Sequence, residues 1–194
     1  MFNSNIISMK LKSLFLTVLL VAGFQLTNAQ VVVKGDKVVN LGIGFGNALY
    51  SGSGNKSSVP PISGSLELVI KDELFDGKGA IGVGGYLGYS AYKWENYGYG
   101  YKVSNVIIGP RGYLHYSLVE KLDTYAGVMI GYDIVSDKLT GNWPGGVYNY
   151  NGSSSRVIFS GFLGARYFFN DKFAAMAELG SGIAYLNLGV AIKL

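Results

Sequence analysis

The chain has 194 residues, with 16 Lys and Arg, 12 Asp and Glu, one His and no Cys, for a formal net charge of +4. The lack of cysteine excludes disulfide frameworks and cysteine-based metal sites, and a hydrophobic content of 49% argues against disorder. Only 14% of the residues are charged, whereas Gly (29) and Tyr (15) are abundant, which indicates a β-protein in an unusual solvent rather than an ordinary soluble domain.

Residues 1–29 predict a secretory signal peptide. Lys10 and Lys12 form its positive end, residues 14–24 form an apolar run, and Thr27 and Ala29 place small residues before a cleavage point. The apolar run is too short for a helical membrane span, which needs about 20 residues. Cleavage would leave residues 30–36 as a periplasmic N-terminal tail. Loss of the two lysines lowers the net charge from +4 to +2, too little to predict a nucleic-acid partner.

From residue 37 onward, apolar residues alternate with small or polar ones, which is the period of a β-strand. The last strand is the clearest, with Leu188, Val190 and Ile192 on one face and Asn187 and Gly189 on the other. The pattern predicts eight strands, at about 37–46, 62–71, 79–93, 103–117, 123–135, 155–168, 172–181 and a final one ending at residue 194. The connections alternate between long polar segments, at 47–61, 94–101 and 137–154, and short turns, at 72–78, 118–122 and 170–171.

Alternation alone does not decide which face meets the solvent, since a soluble sandwich or lipocalin-like barrel would bury the apolar face. Three features favour a membrane barrel, in which the apolar face points outward. The non-apolar face is rich in Gly and Ser and poor in charge, and the apolar final strand needs a closing partner. Aromatic residues also lie near strand ends, as in interfacial girdles: Tyr89, Tyr116, Tyr132, Tyr167, Phe169 and Phe173. The prediction is an all-β, eight-stranded, antiparallel up-and-down transmembrane β-barrel over residues 37–194.

Three segments resemble a known group of proteins: PPISGSLELVIKDELFDGKGAIGVGGYLGYSAYK (60–93), GPRGYLHYSLVEKLDTYAGVMIGYDIV (109–135) and YLNLGVAIKL (185–194). They resemble the small eight-stranded outer-membrane β-barrels of Gram-negative bacteria, of the OmpX and OmpA-membrane-domain type. The resemblance implies an exported protein of the cell outer membrane, surrounded by outer-membrane lipid and lipopolysaccharide. It also implies the barrel-assembly machinery as a partner during biogenesis, although Leu194 stands where an aromatic residue is usual.

An eight-stranded barrel is just wide enough for side chains to fill its interior. Inward glycines would make room for larger neighbours: Gly42, Gly44, Gly82, Gly84, Gly88, Gly127, Gly131 and Gly164. Inward charges balance, with Glu67 and Glu178 against Arg111 and Arg166. Because an unpaired buried charge costs several kcal/mol, we expect ion pairs. The favoured interpretation is a polar plug, and the alternative is a narrow channel for small solutes or ions.

Catalysis is a third and less favoured interpretation. His115, the single histidine, could join Ser117 and a carboxylate in a lipid-modifying hydrolase. We expect its side chain to point inward near a periplasmic turn, away from outer-leaflet lipid, and one histidine does not make a metal site. The sequence therefore predicts no catalytic residue, no metal and no cofactor. No helix follows the glycine-rich stretches at 42–46 and 82–88, so they are not nucleotide-binding loops.

Function is expected in the long loops. Aromatic residues cluster in two of them and are the candidates for contact with an extracellular protein or glycan: Trp94, Tyr97, Tyr99, Trp143, Tyr148 and Tyr150. The same residues could instead pack on one another or lie at the level of lipopolysaccharide. The sequence thus predicts a non-catalytic barrel with a structural or surface-interaction role.

Overall fold

Eight strands make up most of the chain that the structure, a computed structural model, describes: residues 30–47, 56–96, 99–141 and 151–194. The strands are β1 (Lys37–Asn47), β2 (Lys56–Leu74), β3 (Gly79–Asn96), β4 (Tyr99–Val119), β5 (Leu122–Gly141), β6 (Asn151–Phe168), β7 (Phe173–Gly180) and β8 (Ala184–Lys193). The predicted signal peptide at 1–29 lies outside the described residues. Within these ranges no helix is long and apolar enough to cross a membrane.

Each strand pairs antiparallel with the next one, and β8 pairs with β1 to close the barrel. The seam is continuous, since Leu41 faces Val190 and Phe45 faces Leu186 across it. Closure gives the apolar last strand a hydrogen-bonding partner on both sides. The predicted eight-stranded, antiparallel up-and-down barrel is confirmed.

The apolar face of every strand points away from the barrel axis. Leu188 is 44% exposed and Phe159 is 76% exposed, whereas Arg111 is 4% exposed and Arg166 is fully buried. Along β4 the outward apolar residues run from Leu118 to Val106, twelve residues apart, which at about 3.3 Å per residue and a tilt near 40° spans about 30 Å of height. This height is enough to cross the hydrocarbon core of a bilayer, and the predicted orientation is confirmed.

The two ends of the barrel differ. One end, called here the turn end, carries the tight turns at residues 75–78, 120–121 and 169–172 together with residues 30–36 and Leu194. At the opposite hairpin end, β3, β4 and β5 run on beyond the apolar band. Asn96 pairs with Tyr99 there, and the Trp94–Tyr101 pair belongs to the same ladder. The prediction of a loop over 94–101 was therefore wrong, because a two-residue connection at 97–98 leaves the flanking residues free to continue the strands.

Strand β2 is much longer than predicted and irregular at two places. It begins at Lys56, and its register with β3 shifts between Val59 and Ile62, where two prolines stand. Proline cannot donate a ladder hydrogen bond, and it is tolerated there because β1 pairs with β2 only as far as Ile62. The register shifts again after Val69, and Lys71 is exposed. Strict alternation from Glu67 would place Lys71 on the lumen face, but the bulge reverses the alternation beyond it.

Candidate functional site

Glycines in the barrel wall make space for large side chains in the lumen. A Cβ atom added to Gly82 would collide with the carboxylate of Glu67, and one added to Gly164 would collide with the ring of Tyr125. Outward glycines such as Gly161 have no atom within 4 Å of an added Cβ. The inward glycines are therefore paired with specific bulky neighbours, and together they fill the interior.

Four charged side chains form a closed ring near the turn end, called here the charged ring: Glu67, His115, Asp123 and Arg166. Arg166 donates from Nη2 to Oε2 of Glu67 at 2.7 Å and from Nη1 to Oδ2 of Asp123 at 3.1 Å. His115 places Nδ1 2.9 Å from Oδ1 of Asp123 and Nε2 2.5 Å from Oε1 of Glu67. The four side chains are at most 1% exposed.

The charged ring alternates in sign around its circumference. Each carboxylate lies between the guanidinium and the imidazole, and each imidazole nitrogen faces a carboxylate oxygen. Nδ1 hydrogen-bonds Asp123, whereas Nε2 lies within ion-pair distance of Glu67 Oε1 without forming a hydrogen bond. An imidazolium at this position would have a carboxylate beside each nitrogen. Two anions and two cations then leave the ring without net charge, which limits the cost of burying four charges.

A second level, the arginine layer, lies further toward the hairpin end. Nη1 of Arg111 donates to both carboxylate oxygens of Glu178 at 3.0 Å, and the hydroxyl of Tyr125 donates to Glu178 Oε2 at 3.3 Å. The Arg111 guanidinium carbon lies 3.8 Å from the ring centre of Tyr86 and 4.3 Å from that of Phe162. Aromatic faces and one carboxylate therefore occupy the space around this cation.

Asp133 anchors a third polar group, still nearer the hairpin end. Asn105 Nδ2 donates to its Oδ1 at 3.0 Å and Arg156 Nε to its Oδ2 at 3.1 Å. The Arg156 side chain is 56% exposed. The buried apolar side chains of Ile107, Met129 and Ile183 belong to one cluster with Tyr86 and Phe162, the rings beside Arg111. The lumen is thus occupied at successive heights by alternating polar and apolar side chains.

Residues 30–36, the predicted N-terminal tail, lie over the turn end of the barrel and are called here the mouth segment. Val32 is fully buried in an apolar cluster that includes Val38, Phe168 and Met176. Hydrogen bonds to several strands hold the backbone, including Val31 N to Ser117 Oγ at 3.1 Å. This segment closes the opening that leads to the charged ring.

The mouth segment meets the last strand at this opening. Lys193, in the last strand, donates from Nζ to the carbonyl of Val31 at 2.6 Å and pairs with Oδ2 of Asp36 at 3.0 Å. Gly35 N donates to Val69 O, and Val69 N donates to Asp36 O, both at 2.9 Å. The mouth segment is therefore fixed to β2 and to β8.

The structure brings together the four lumen residues that the sequence singled out, as the pairs Arg111–Glu178 and Arg166–Glu67. Asp123 was not included in the predicted network, although it has the same parity as the inward Tyr125. The alternation of inward and outward residues along β5 was therefore the sequence signal that could have identified Asp123. The sequence gives no such signal for the mouth segment, because three consecutive valines in a short polar stretch have no periodicity.

The structure describes only some of the aromatic loop candidates. The rings of Trp94 and Tyr101 stack with centroids 5.7 Å apart at the hairpin end. Tyr99 lies at the start of β4, opposite Asn96 on one side and Gly141 on the other. The remaining candidates lie outside the described residues: Tyr97, Trp143, Tyr148 and Tyr150.

The side chains of the charged ring are already in contact with one another. In the ranges that the structure describes, no group of three or more His, Asp or Glu side chains is arranged to hold a metal ion. The guanidinium of Arg166 already bridges the carboxylates of Glu67 and Asp123. The hydroxyl oxygen of Ser117 accepts the amide of Val31, and both ring nitrogens of His115 face carboxylates. The geometry is that of a charge-neutral structural network.

No protein-family model matches the chain, and no curated protein matches its sequence. Solved structures do share its architecture. The attachment invasion locus protein Ail of Yersinia pestis, in complex with the heparin analogue sucrose octasulfate, superposes with a TM-score of 0.50 at 10% identity, over 83% of this chain and 96% of that one.

Two proteins of Pseudomonas aeruginosa align over a similar span. The N-terminal β-barrel domain of OprF has a TM-score of 0.46 at 13% identity, over 84% of this chain and 98% of that one. The outer membrane protein OprG has a TM-score of 0.43 at 10% identity, over 86% and 99%. All three are small eight-stranded outer-membrane β-barrels. The likeness to Ail shows a common fold.

Proposed function

We propose that this chain is a non-catalytic outer-membrane barrel whose lumen is closed, with a structural or surface-interaction role carried by its hairpin end. The turn end then faces the periplasm, as short turns and both termini do in barrels of even strand number. The hairpin end faces the outside, where the aromatic candidates and any extracellular protein or glycan would meet.

The observation that carries this proposal is the occupation of the lumen at every level. The mouth segment covers the periplasmic opening, and the charged ring and the arginine layer fill the space above it. Each buried cation has a carboxylate partner within about 3 Å. Protein interiors packed in this way leave no room for a continuous file of water.

Planar-bilayer recording tests the proposal against its main alternative, a narrow channel. The folded chain should give no steady conductance above the bare membrane. A variant that lacks residues 30–36 and carries Arg166→Ala and Arg111→Ala should leak more, because it opens the mouth, the charged ring and the arginine layer. A steady, reproducible channel from the unmodified protein would show that the side chains do not block the lumen.

Export and location are tested separately. We expect the protein in the outer-membrane fraction, with a gel mobility that changes on boiling, and a mature chain that begins at Gln30 by intact mass. Recovery from the soluble periplasm, or an uncleaved chain, would contradict the proposed location or processing.

The enzymatic alternative has its own test. Incubation with lipid A should give no deacylated or acyl-transferred product, since His115 and Ser117 are engaged in structural contacts. A product whose formation is abolished by His115→Ala would establish the lipid-modifying activity instead.

A further inference from the structure

The sheet extends further on one side of the barrel at the hairpin end. Strand β7 ends at Gly180 and pairs with β6 only from Phe162 to Phe168. Strand β6, by contrast, pairs with β5 without interruption up to Asn151. Residues 151–160 of β6 therefore have a neighbouring strand on one side and, among the described residues, none on the other. This stretch is called here the β6 edge.

The direction of the backbone groups along the β6 edge follows from a contact at its lower end. Ser181 N donates to Gly161 O at 3.3 Å, so Gly161 directs its backbone groups toward the open side. Alternate residues of a strand direct N–H and C=O to the same side, and the pairing with β5 contains no bulge over this stretch. The open side is thus faced by the N–H and C=O groups of the residues in step with Gly161: Ser153, Ser155, Val157 and Phe159.

These four residues are exposed, and Phe159 is 76% exposed. Over residues 153–159 the row of N–H and C=O groups on the open side is about 20 Å long, at about 3.3 Å per residue. A strand edge of this kind is a template for pairing with another extended chain.

The two edges of this part of the sheet differ in their protection. The other edge lies on β2 before its first partner in β1, and it contains Pro60 and Pro61, which cannot donate hydrogen bonds. Proteins commonly protect edges with proline, lysine or a bulge. Residues 152–160 have the sequence GSSSRVIFS and an unbroken register with β5, so they contain none of the three. One edge is blocked, and the β6 edge is open to pairing.

Arg156 gives the β6 edge a preference for charge. Its Nε donates to Asp133 Oδ2 at 3.1 Å, and its side chain is 56% exposed. An acidic side chain directly opposite Arg156 on an added strand would form a cross-strand pair of opposite charges. On the other face the added strand would lie beside the exposed side chains of Val157 and Phe159. The edge therefore suits a segment with an acidic residue on one face and apolar residues on the other.

A second copy of this chain does not fit the β6 edge. Two copies in one membrane have the same orientation, so a two-fold axis along the membrane normal tilts their β6 strands in opposite directions. At a tilt of about 40° the two strands would cross at about 80°, which is too steep for a ladder. Joining the β6 edge of one copy to β2 of another is opposed by Pro60 and Pro61.

We propose that the β6 edge binds an extended segment of an extracellular protein by strand addition. Backbone hydrogen bonds to Ser153, Ser155 and Val157 hold the segment, and an acidic residue of the segment lies beside Arg156. This proposal rests on the surface-interaction role proposed above and narrows it to one strand edge. It does not depend on a closed lumen.

Peptide binding to the protein folded in detergent micelles tests the β6 edge. The probe is a fluorescent synthetic peptide that alternates valine and threonine around a central glutamate, and anisotropy reports its binding. In an antiparallel register with the glutamate opposite Arg156, the valines direct their N–H and C=O groups toward β6. N-methylation of the valines should abolish binding. N-methylation of the other residues should leave it unchanged, because their N–H groups point away from β6.

Variants of the edge isolate the backbone contribution. Ser153→Pro/Ser155→Pro removes two N–H groups from the open side and should weaken binding about twentyfold, at about fivefold per lost hydrogen bond. Proline is tolerated at these positions because their N–H groups take no part in the ladder with β5. Ser153→Ala/Ser155→Ala keeps both N–H groups and should bind the peptide like the parent. The gel-mobility change on boiling establishes that each variant is folded.

Four results would overturn the site: no binding of the probe to the parent, equal binding of the two N-methylated peptides, an unchanged affinity in the proline variant, or an equal loss in the alanine variant. A dimer of the protein itself that the proline variant dissociates would assign the edge to a second copy instead. Because these measurements need neither a membrane nor a closed lumen, their failure is distinguishable from failure of the fractionation and conductance experiments.

Discussion

Replacement of Arg166 by methionine removes the guanidinium that contacts both carboxylates of the charged ring. The pairs at 2.7 and 3.1 Å are lost, and Glu67 and Asp123 remain fully buried with a single cation between them. Leaving one buried charge uncompensated costs about 3–5 kcal/mol. The contact of Arg166 with the ring of Tyr125, at 4.3 Å, adds about 1 kcal/mol. The loss is a large part of the 5–15 kcal/mol that stabilises a typical fold.

The net charge of the ring makes a second variant informative. Asp123→Asn alone leaves the ring with an excess cation, whereas Asp123→Asn combined with Arg166→Met restores neutrality through the remaining Glu67–His115 pair. We therefore expect the double variant to be about 2 kcal/mol more stable than the sum of the two single effects predicts. Lys172→Met, at an exposed turn, removes one positive charge outside the barrel and should change stability by less than about 0.5 kcal/mol.

Urea unfolding of the protein folded into phosphatidylcholine vesicles, followed by fluorescence, gives the free energies. The reasoning is refuted if Arg166→Met costs less than about 1 kcal/mol, because a buried charge would then have no need of its partner. It is refuted equally if the two single effects add within about 0.5 kcal/mol, since residues in one electrostatic network should not behave independently.

The remaining predictions concern the wall and the mouth. Gly164→Ala should destabilise the barrel by about 1–3 kcal/mol or prevent folding, whereas Gly161→Ala, on the same strand but facing outward into open space, should be tolerated, and urea unfolding compares the two. Leu163→Lys, on the outward face near mid-height, should cost about 2–4 kcal/mol in vesicles, and a neutral result would argue that lipid does not surround this strand. Lys193→Met should speed amide hydrogen exchange in residues 30–36, and unchanged protection there would show that its contacts to this segment contribute nothing.

The sequence predicts which segments are strands and which side chains point outward. It does so because side chains in a strand alternate every two residues and apolar residues occupy nearly every outward position. The predictions failed where something other than alternation decides. At Lys71 a bulge inserts one residue and reverses the parity. At 94–101 the aromatic and polar composition is typical of a loop, but residues 94–96 and 99–101 continue the pairing of β3 with β4.

The candidate lumen residues could be chosen from parity and charge balance, but their partners could not. Glu67 and Arg166 are 99 residues apart, and only closure of the barrel and the lengths of the side chains decide which anion a given guanidinium reaches.

The contacts of Lys193 at the mouth have a consequence for the order of assembly. The side chain that holds Val31 belongs to the penultimate residue of the chain, 162 positions later. The contacts of residues 31–36 to β2 and β4 can form before the barrel closes, whereas the contacts to Lys193 require the final strand to have paired with the first. Protection of the Val31 carbonyl by Lys193 is therefore a marker of completed closure.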